Sequence, residues 1–194
     1  EENSSIQRIQ EKCINCGVCK NTCENLVGIK YPEKRRNHPA CLGCGQCILS
    51  CPMGAIVPKY HYQEVQKEIE NPNKVVIVLT SPAVRVSMGE MFGLTPGTNV
   101  EKKLVSALRK LGFDVVLDTT FGADLTVMEE AHELITRIQK KKVFPQFTSC
   151  CPAWVKYVEV FLPEYIPNLS SCKSPIGMQT TMIKTYYAKQ KGID

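Results

Sequence analysis

Residues 13–23 read CINCGVCKNTC and residues 41–52 read CLGCGQCILSCP. Each stretch carries the spacing C-x2-C-x2-C-x3-C, with Cys13, Cys16, Cys19 and Cys23 in the first and Cys41, Cys44, Cys47 and Cys51 in the second. Most of the chain's 11 cysteines therefore sit in one repeated pattern. Dense cysteine serves either a disulfide scaffold or metal ligation, and spacing separates the two. Cysteines this close on one loop seldom meet disulfide geometry. Zinc favours paired C-x2-C units, whereas these are triplets with a fourth member. Two-residue gaps let three thiolates converge from a tight loop, and Gly17, Gly43 and Gly45 permit close backbone approach. Few large apolar residues accompany them, so bound metal is expected to stand in for a core.

The pattern resembles that of the bacterial two-cluster ferredoxins, in which the fourth cysteine of each run ligates the other cluster. The resemblance implies two 4Fe-4S clusters, one held by Cys13, Cys16, Cys19 and Cys51, the other by Cys41, Cys44, Cys47 and Cys23. The two runs differ at one point. Pro52 follows the second, and Glu24 stands where the pattern has proline in the first. That changes the turn after Cys23 and adds a negative charge near one cluster, which lowers its potential, but it removes no ligand. Ala55, Ile56 and Val57 are expected to begin a short strand over the clusters.

Beyond Pro58 the composition shifts. Residues 60–70 read as a polar helix or linker, and Asn71, Pro72 and Asn73 break it. This places domains at 1–70 and 74–194. KVVIVLT at 74–80 is a β-branched run of the kind expected for a strand buried on both faces. Val100, Leu104, Ala107, Leu108 and Leu111 fall at helical spacing, with cap candidates Thr98 and Asn99 before them and Gly112 after. Residues 115–117 read as another short strand, and Leu125, Met128, Ala131, Leu134, Ile135 and Ile138 mark a second amphipathic helix. Strands alternating with helices argue for a largely parallel sheet. The glycines form no phosphate-binding loop, which argues against a nucleotide site.

At 194 residues the chain has room for a small domain and a medium one. A hydrophobic share of 43% and a charged share of 22% are those of a globular protein, and no apolar run is long enough for a membrane span. The net charge of +5 includes only a short basic cluster, Lys34, Arg35 and Arg36, read as a solvated loop with a minor role in docking an acidic redox partner. Nucleic acid is excluded as a partner on that ground. The chain opens on Glu1 with no charged n-region or apolar h-region, so a signal peptide is expected to be absent or removed. The cytoplasm is the expected compartment, with the periplasm compatible.

Residues 148–154 read TSCCPAW, just after Phe144, Pro145, Gln146 and Phe147. This resembles the first signature of the iron-only (FeFe) hydrogenases. SPAVR at 81–85, FGADLTVMEE at 121–130 and SSCKSP at 170–175 resemble further blocks of that family in the same order. The resemblance spans nearly the whole chain. It implies an active-site 4Fe-4S cluster bridged to a diiron unit, with Cys151 as a cluster ligand and Cys150 as the acid that passes protons. A thiol, with a reference pKa of about 8.5, exchanges protons reversibly near neutrality. The implied relay continues through Glu133, Ser170 and Glu130; the two glutamates, three residues apart on a predicted helix, share one face. Ser81, Pro82, Lys173 and Ser174 are implied to shape the pocket around the diiron unit, Ser81 standing where active members have alanine. Cys172 is read as a packed thiol and Trp154 as packing.

The fold expected is an α+β ferredoxin-like two-cluster module followed by an incomplete α/β domain with a largely parallel sheet. The implied reaction is reversible reduction of protons to hydrogen, with electrons exchanged with a ferredoxin or similar small redox protein. The family's later signatures, M-P-C and C-x3-C, do not occur in these residues, so the chain is expected to lack the C-terminal part of the active-site domain and to be inactive alone. Two other uses share the motifs: a stand-alone ferredoxin-like carrier, and a sensory or assembly protein of hydrogenase ancestry. Assembly-type relatives usually lack one of the twin cysteines, and Cys150 and Cys151 are both present.

Overall fold

The two cysteine runs fold as matching halves. In a computed structural model, which describes residues 5–29 and 41–193, each run begins as a loop with two left-handed positions. They are Asn15 (φ 54°) and Gly17 (φ 78°) in the first, Gly43 (φ 68°) and Gly45 (φ 77°) in the second. Glycine and asparagine tolerate that backbone best. Gly17 and Gly45 each lead into a short helix, α1 (Val18–Asn21) and α2 (Gln46–Ser50). Thr22 Oγ1 donates to Val18 O (2.9 Å) as Ser50 Oγ donates to Gln46 O (3.0 Å). The basic cluster at 34–36 lies outside the described residues.

The halves part after the fourth cysteine. Proline disfavours helical backbone in the residue before it, so Cys51 is extended (φ −75°, ψ 110°) and α2 stops. Glu24 imposes no such limit, and α1 runs on into a π-helical turn, Thr22–Leu26. Strands β1 (Ile6–Arg8) and β2 (Ile56–Pro58) pair antiparallel, Ile6 opposite Pro58 and Arg8 opposite Ile56. Ile29 and Ala55 are deeply buried, each 1% exposed.

The chain forms two compact units, one of Glu1–His61 with Pro152–Ile166, the other of Tyr62–Cys151 with Pro167–Asp194. The division falls before helix α3 (Tyr62–Ile69), whereas the composition break falls after it. Val65 and Ile69 of α3 line an apolar groove with Leu111 and Phe113, and Lys74 pairs with Glu68, which ties the helix to the second unit.

Within that unit β3 (Ile77–Thr80) and β4 (Val115–Asp118) pair in parallel, Ile77 opposite Val115 and Thr80 opposite Asp118. Parallel neighbours need a long crossover, here carried by α4 (Val84–Met91) and α5 (Glu101–Lys110). Asn99 Oδ1 accepts from Glu101 N (3.0 Å) at the start of α5, and Val100 and Leu104 are buried. The run at 74–80 does not become a strand buried on both faces. Its first three residues stay outside β3, Val75 is exposed, and each β3 residue is half-buried because the described sheet has only two strands.

Helix α6 (Thr120–Gln139) also departs from expectation. Met128, Leu134, Ile135 and Ile138, read as core-facing, are exposed, and the helix buries Gly122, Thr126 and Arg137 instead. Those buried positions follow the helical repeat, so the helix is turned with a small and polar stripe inward. Helix α8 (Pro175–Met182) packs there; a Cβ at Gly122 would collide with the Pro175 carbonyl and stand 2.9 Å from Gln179 Cβ. The first unit's second segment holds α7 (Pro152–Phe161), where Trp154 stacks on Tyr157, Tyr157 meets Phe161 at a tilt, and Val158 is fully buried. The chain closes through a π-helical turn (Ile183–Tyr187) into α9 (Ala188–Lys191). Among the described residues no helix is long and apolar enough to cross a membrane.

Candidate functional site

Cys13, Cys16, Cys19 and Cys51 line one cavity of about 150 Å3 in the first unit, together with Arg8 and Asn15. Cys51 Sγ accepts from Ala55 N (3.3 Å). That amide, aided by those of Met53, Ile56 and Gly54, draws the Cys51 thiol below its ordinary pKa against the effect of burial. The other four thiols also keep company. Burial pushes Cys23 up, and the nearby thiols of Cys41 and Cys44 push it further; Cys47 is raised by burial and then by Cys23, Cys41 and Cys44. Cys41 Sγ accepts from Gly43 N (3.4 Å). None of the cysteines is in a disulfide. Among the described residues no three His, Cys, Asp or Glu side chains group to hold a single metal ion. Four thiols around a cavity, with amides aimed at their sulfurs, are the donor set a 4Fe-4S cluster takes.

The second unit gathers three segments around one carboxylate. Glu133, on α6, accepts from Arg137 Nε (3.0 Å) and Nη2 (2.7 Å), from Ser170 Oγ (3.1 Å), and from Ser171 N and Oγ (both 3.0 Å). Burial alone would raise its pKa; these bonds, Arg137 first, outweigh it and hold the carboxyl below the usual carboxylate range. Arg137 is itself only 7% exposed, and it donates further to the carbonyls of Val143, Pro167, Asn168 and Leu169 (2.7–3.4 Å). Phe147 N donates to Asn168 O (2.8 Å) and Ser170 N to Phe147 O (2.7 Å), which sets 147 and 169 side by side in a short parallel bridge. The chain then reaches the twin cysteines. Ser149 N donates to Glu130 Oε1 (3.4 Å), Ser149 Oγ to Cys172 O (2.6 Å), and Cys172 N to Ser170 Oγ (3.2 Å).

Glu130, Glu133 and Ser170 thus meet at one juncture, and Cys150 and Cys151 follow it in the chain with exposed side chains. Glu130, rather than Glu133, is the carboxylate bonded beside Cys150. Cys172 is half-buried, its thiol raised by burial despite the Ser170 hydroxyl. A polar cavity of about 580 Å3 opens beside Glu133, lined also by Glu129, His132, Lys142, Ser171 and Cys172. Lys173 Nζ donates to Thr181 Oγ1 (3.4 Å), and Ser174 caps α8 by accepting from Gly177 N (3.3 Å). Ser81 and Pro82 lie in the turn after β3, where Ser81 O accepts from Val84 N (3.1 Å). Among the described residues no hydrogen bond joins that turn to Lys173 or Ser174. Sequence reading missed Arg137 and Ser171. The E-x3-R spacing of Glu133 and Arg137 was the available signal for the first, and Ser171 offered none beyond its place beside Ser170.

Residues 74–194 match the family described as iron only hydrogenase large subunit, C-terminal domain. The chain belongs to the iron-only hydrogenases. It is 42% identical to iron hydrogenase 1 of Clostridium pasteurianum, aligning over 100% of this chain and 36% of that protein. It is 40% identical to the periplasmic Fe hydrogenase large subunit of Nitratidesulfovibrio vulgaris, over 97% of this chain and 46% of that one. A solved FeFe-hydrogenase HydA structure, described as revealing stepwise H-cluster assembly, superposes with a TM-score of 0.66 at 46% identity, covering 70% of this chain and 35% of its own. The chain thus spans between a third and a half of the hydrogenases it matches.

Proposed function

We propose that this chain supplies the electron-relay unit and the proton-handling part of the active-site domain of an iron-only hydrogenase, which interconverts protons and electrons with hydrogen. One observation carries the reading: the four cysteines that the ferredoxin pattern assigns to one cluster line a single cavity, and the same chain joins Glu130, Glu133 and Ser170 to the twin-cysteine segment. When bound, the two 4Fe-4S clusters supply one-electron sites, and the active-site cluster with its diiron unit supplies the place where protons and electrons combine. Cys151 offers one ligand to that centre. A four-iron cluster takes four, so these residues fit it in part and the whole reaction belongs to the longer protein.

The chain's own residues handle the proton. Cys150 Sγ holds it nearest the reaction, Glu130 follows, and Ser170 Oγ, bonded to Glu133 Oε2, passes it toward the polar cavity. Arg137 keeps Glu133 oriented and ionised. Ser81, Pro82, Lys173 and Ser174 shape the pocket for the diiron unit. The electron partner is a ferredoxin or similar small redox protein, and the cytoplasm is the proposed compartment. The test is anaerobic reconstitution with iron and sulfide, followed by an iron count and electron paramagnetic resonance of the reduced chain. About eight irons with the signal of two interacting clusters are expected. About four or fewer, or zinc in their place, would sink the reading.

A further inference from the structure

The two halves of the first unit are near copies offset by 28 residues, Cys13 matching Cys41, so a difference between them has an internal control. We propose that the two cluster sites are electronically unequal, and that Glu24, standing where Pro52 stands in the other half, makes the site closed by Cys23 the more strongly reducing. The proposal rests on the two-cluster reading above.

Backbone amides carry the first part of the argument. Pro52 forces Cys51 out of the helix, and the chain doubles back so that Gly54 N donates to Cys51 O (3.2 Å) and Ala55 N to Cys51 Sγ (3.3 Å). Without proline after Cys23 the helix continues. The amides that follow are taken up by backbone carbonyls, Val27 N by Thr22 O (3.1 Å) and Ile29 N by Cys23 O (2.9 Å). Among the described residues no N–H donates to Cys23 Sγ. An N–H dipole aimed at a ligand sulfur stabilises the electron a cluster gains, and its loss lowers the potential.

Charge works in the same direction. Glu24 puts a carboxylate next to the Cys23 ligand, and its salt bridge to Lys20 (3.8 Å) is loose, with the lysine 76% exposed, so the negative charge is only partly offset. At the other site the charge is positive: Arg8 lines the cavity of Cys13, Cys16, Cys19 and Cys51 and donates to Asn15 Oδ1 (2.6 Å). Gly43 N donating to Cys41 Sγ (3.4 Å) counts toward the Cys23 site, as a single amide against a carboxylate and a withheld turn.

The test is a redox titration of the anaerobically reconstituted full chain, followed by electron paramagnetic resonance, in the wild type, Glu24→Gln and Glu24→Pro. The wild type should reduce in two resolved steps. Glu24→Gln should raise the lower step alone, changing the reduced-to-oxidised ratio at fixed potential by about tenfold, or about 59 mV for one electron. Glu24→Pro should raise it at least as far by freeing the turn amides; if that variant does not fold, Glu24→Gln decides alone. Coincident wild-type steps, or a Glu24→Gln variant whose lower step stays put, would overturn the inference while about eight irons leave the two-cluster reading standing. About four irons or fewer in the wild type would remove both.

Discussion

Arg137 is the residue on which the second unit's juncture hangs. Its guanidinium binds Glu133 in a fork and collects four carbonyls, so removing it would strand buried acceptors and a carboxylate together. Arg137→Met should destabilise the second unit by about 2 to 4 kcal/mol, discounted for the part of Glu133 that water reaches. Arg137→Lys should recover only part, because a lysine cannot reproduce the fork. Urea denaturation followed by circular dichroism measures both. Glu133 carries a pH dependence of definite sign. Its folded pKa is depressed, so its stabilisation is present above the unfolded carboxyl value of about 4.3 and fades as pH falls through the lower, folded value. Glu133→Gln should flatten the fall in urea midpoint between neutral pH and about pH 3. On the proposed function, in a full-length enzyme that contains this chain, Glu130→Gln and Ser170→Ala should each slow hydrogen turnover about a hundredfold, while reduction of the clusters proposed for the first unit stays unchanged. Equal slowing of cluster reduction would remove both residues from the proton path.

At the scale of elements, the contact of α6 with α8 sets where the carboxylates point. Gly122 lets the Pro175 backbone lie against α6, and Gln179 Nε2 donates to Asp118 O (2.9 Å) nearby. Alanine is the better helix former by about 1 kcal/mol. Here the added methyl meets a backbone carbonyl that cannot swing aside, and overpacking of about 1 to 3 kcal/mol wins. Gly122→Ala should therefore lower the urea midpoint of the second unit, and an unchanged or higher midpoint would show that α8 can retreat. The periodicity of α6 was plain in the sequence, but its orientation was not. An apolar stripe names a face that can be buried, and in this chain the face that meets α8 and the 167–171 segment is the one carrying Gly122, Thr126 and Arg137.

For the whole molecule, the two units have different sources of order. The first has three deeply buried apolar residues among those described, Ile29, Ala55 and Val158, which is little core for its length. Iron removal by anaerobic chelation should therefore loosen residues 5–29 and 41–61 while leaving the second unit folded. Hydrogen exchange resolved by peptide reads this directly: protection should fall in the cysteine runs and persist in α5, α6 and β4. Equal loss in both units would mean that the clusters hold the entire chain, and no loss would mean that the first unit folds without them.

Spacing along the chain was enough to mark the family blocks around Cys150 and Cys151 and the repeated cysteine runs, and to suggest a division of the eight cysteines between two sites, because ligand geometry and tight turns are local requirements written at short range. The strands within 74–80 and at 115–117 and the helices marked by Val100 to Leu111 and Leu125 to Ile138 were legible for the same reason, in their pattern of apolar residues, whereas α4 was not. Tertiary structure alone decided that Glu130 accepts from the Ser149 amide, that Glu133 is clamped by Arg137 and the 170–171 serines, and that α6 turns its polar stripe inward. Those outcomes depend on amides, carbonyls and hydroxyls distant in the chain, 19 residues away for Glu130 and up to 38 for Glu133, whose desolvation must be matched by a donor or acceptor wherever packing happens to bring them.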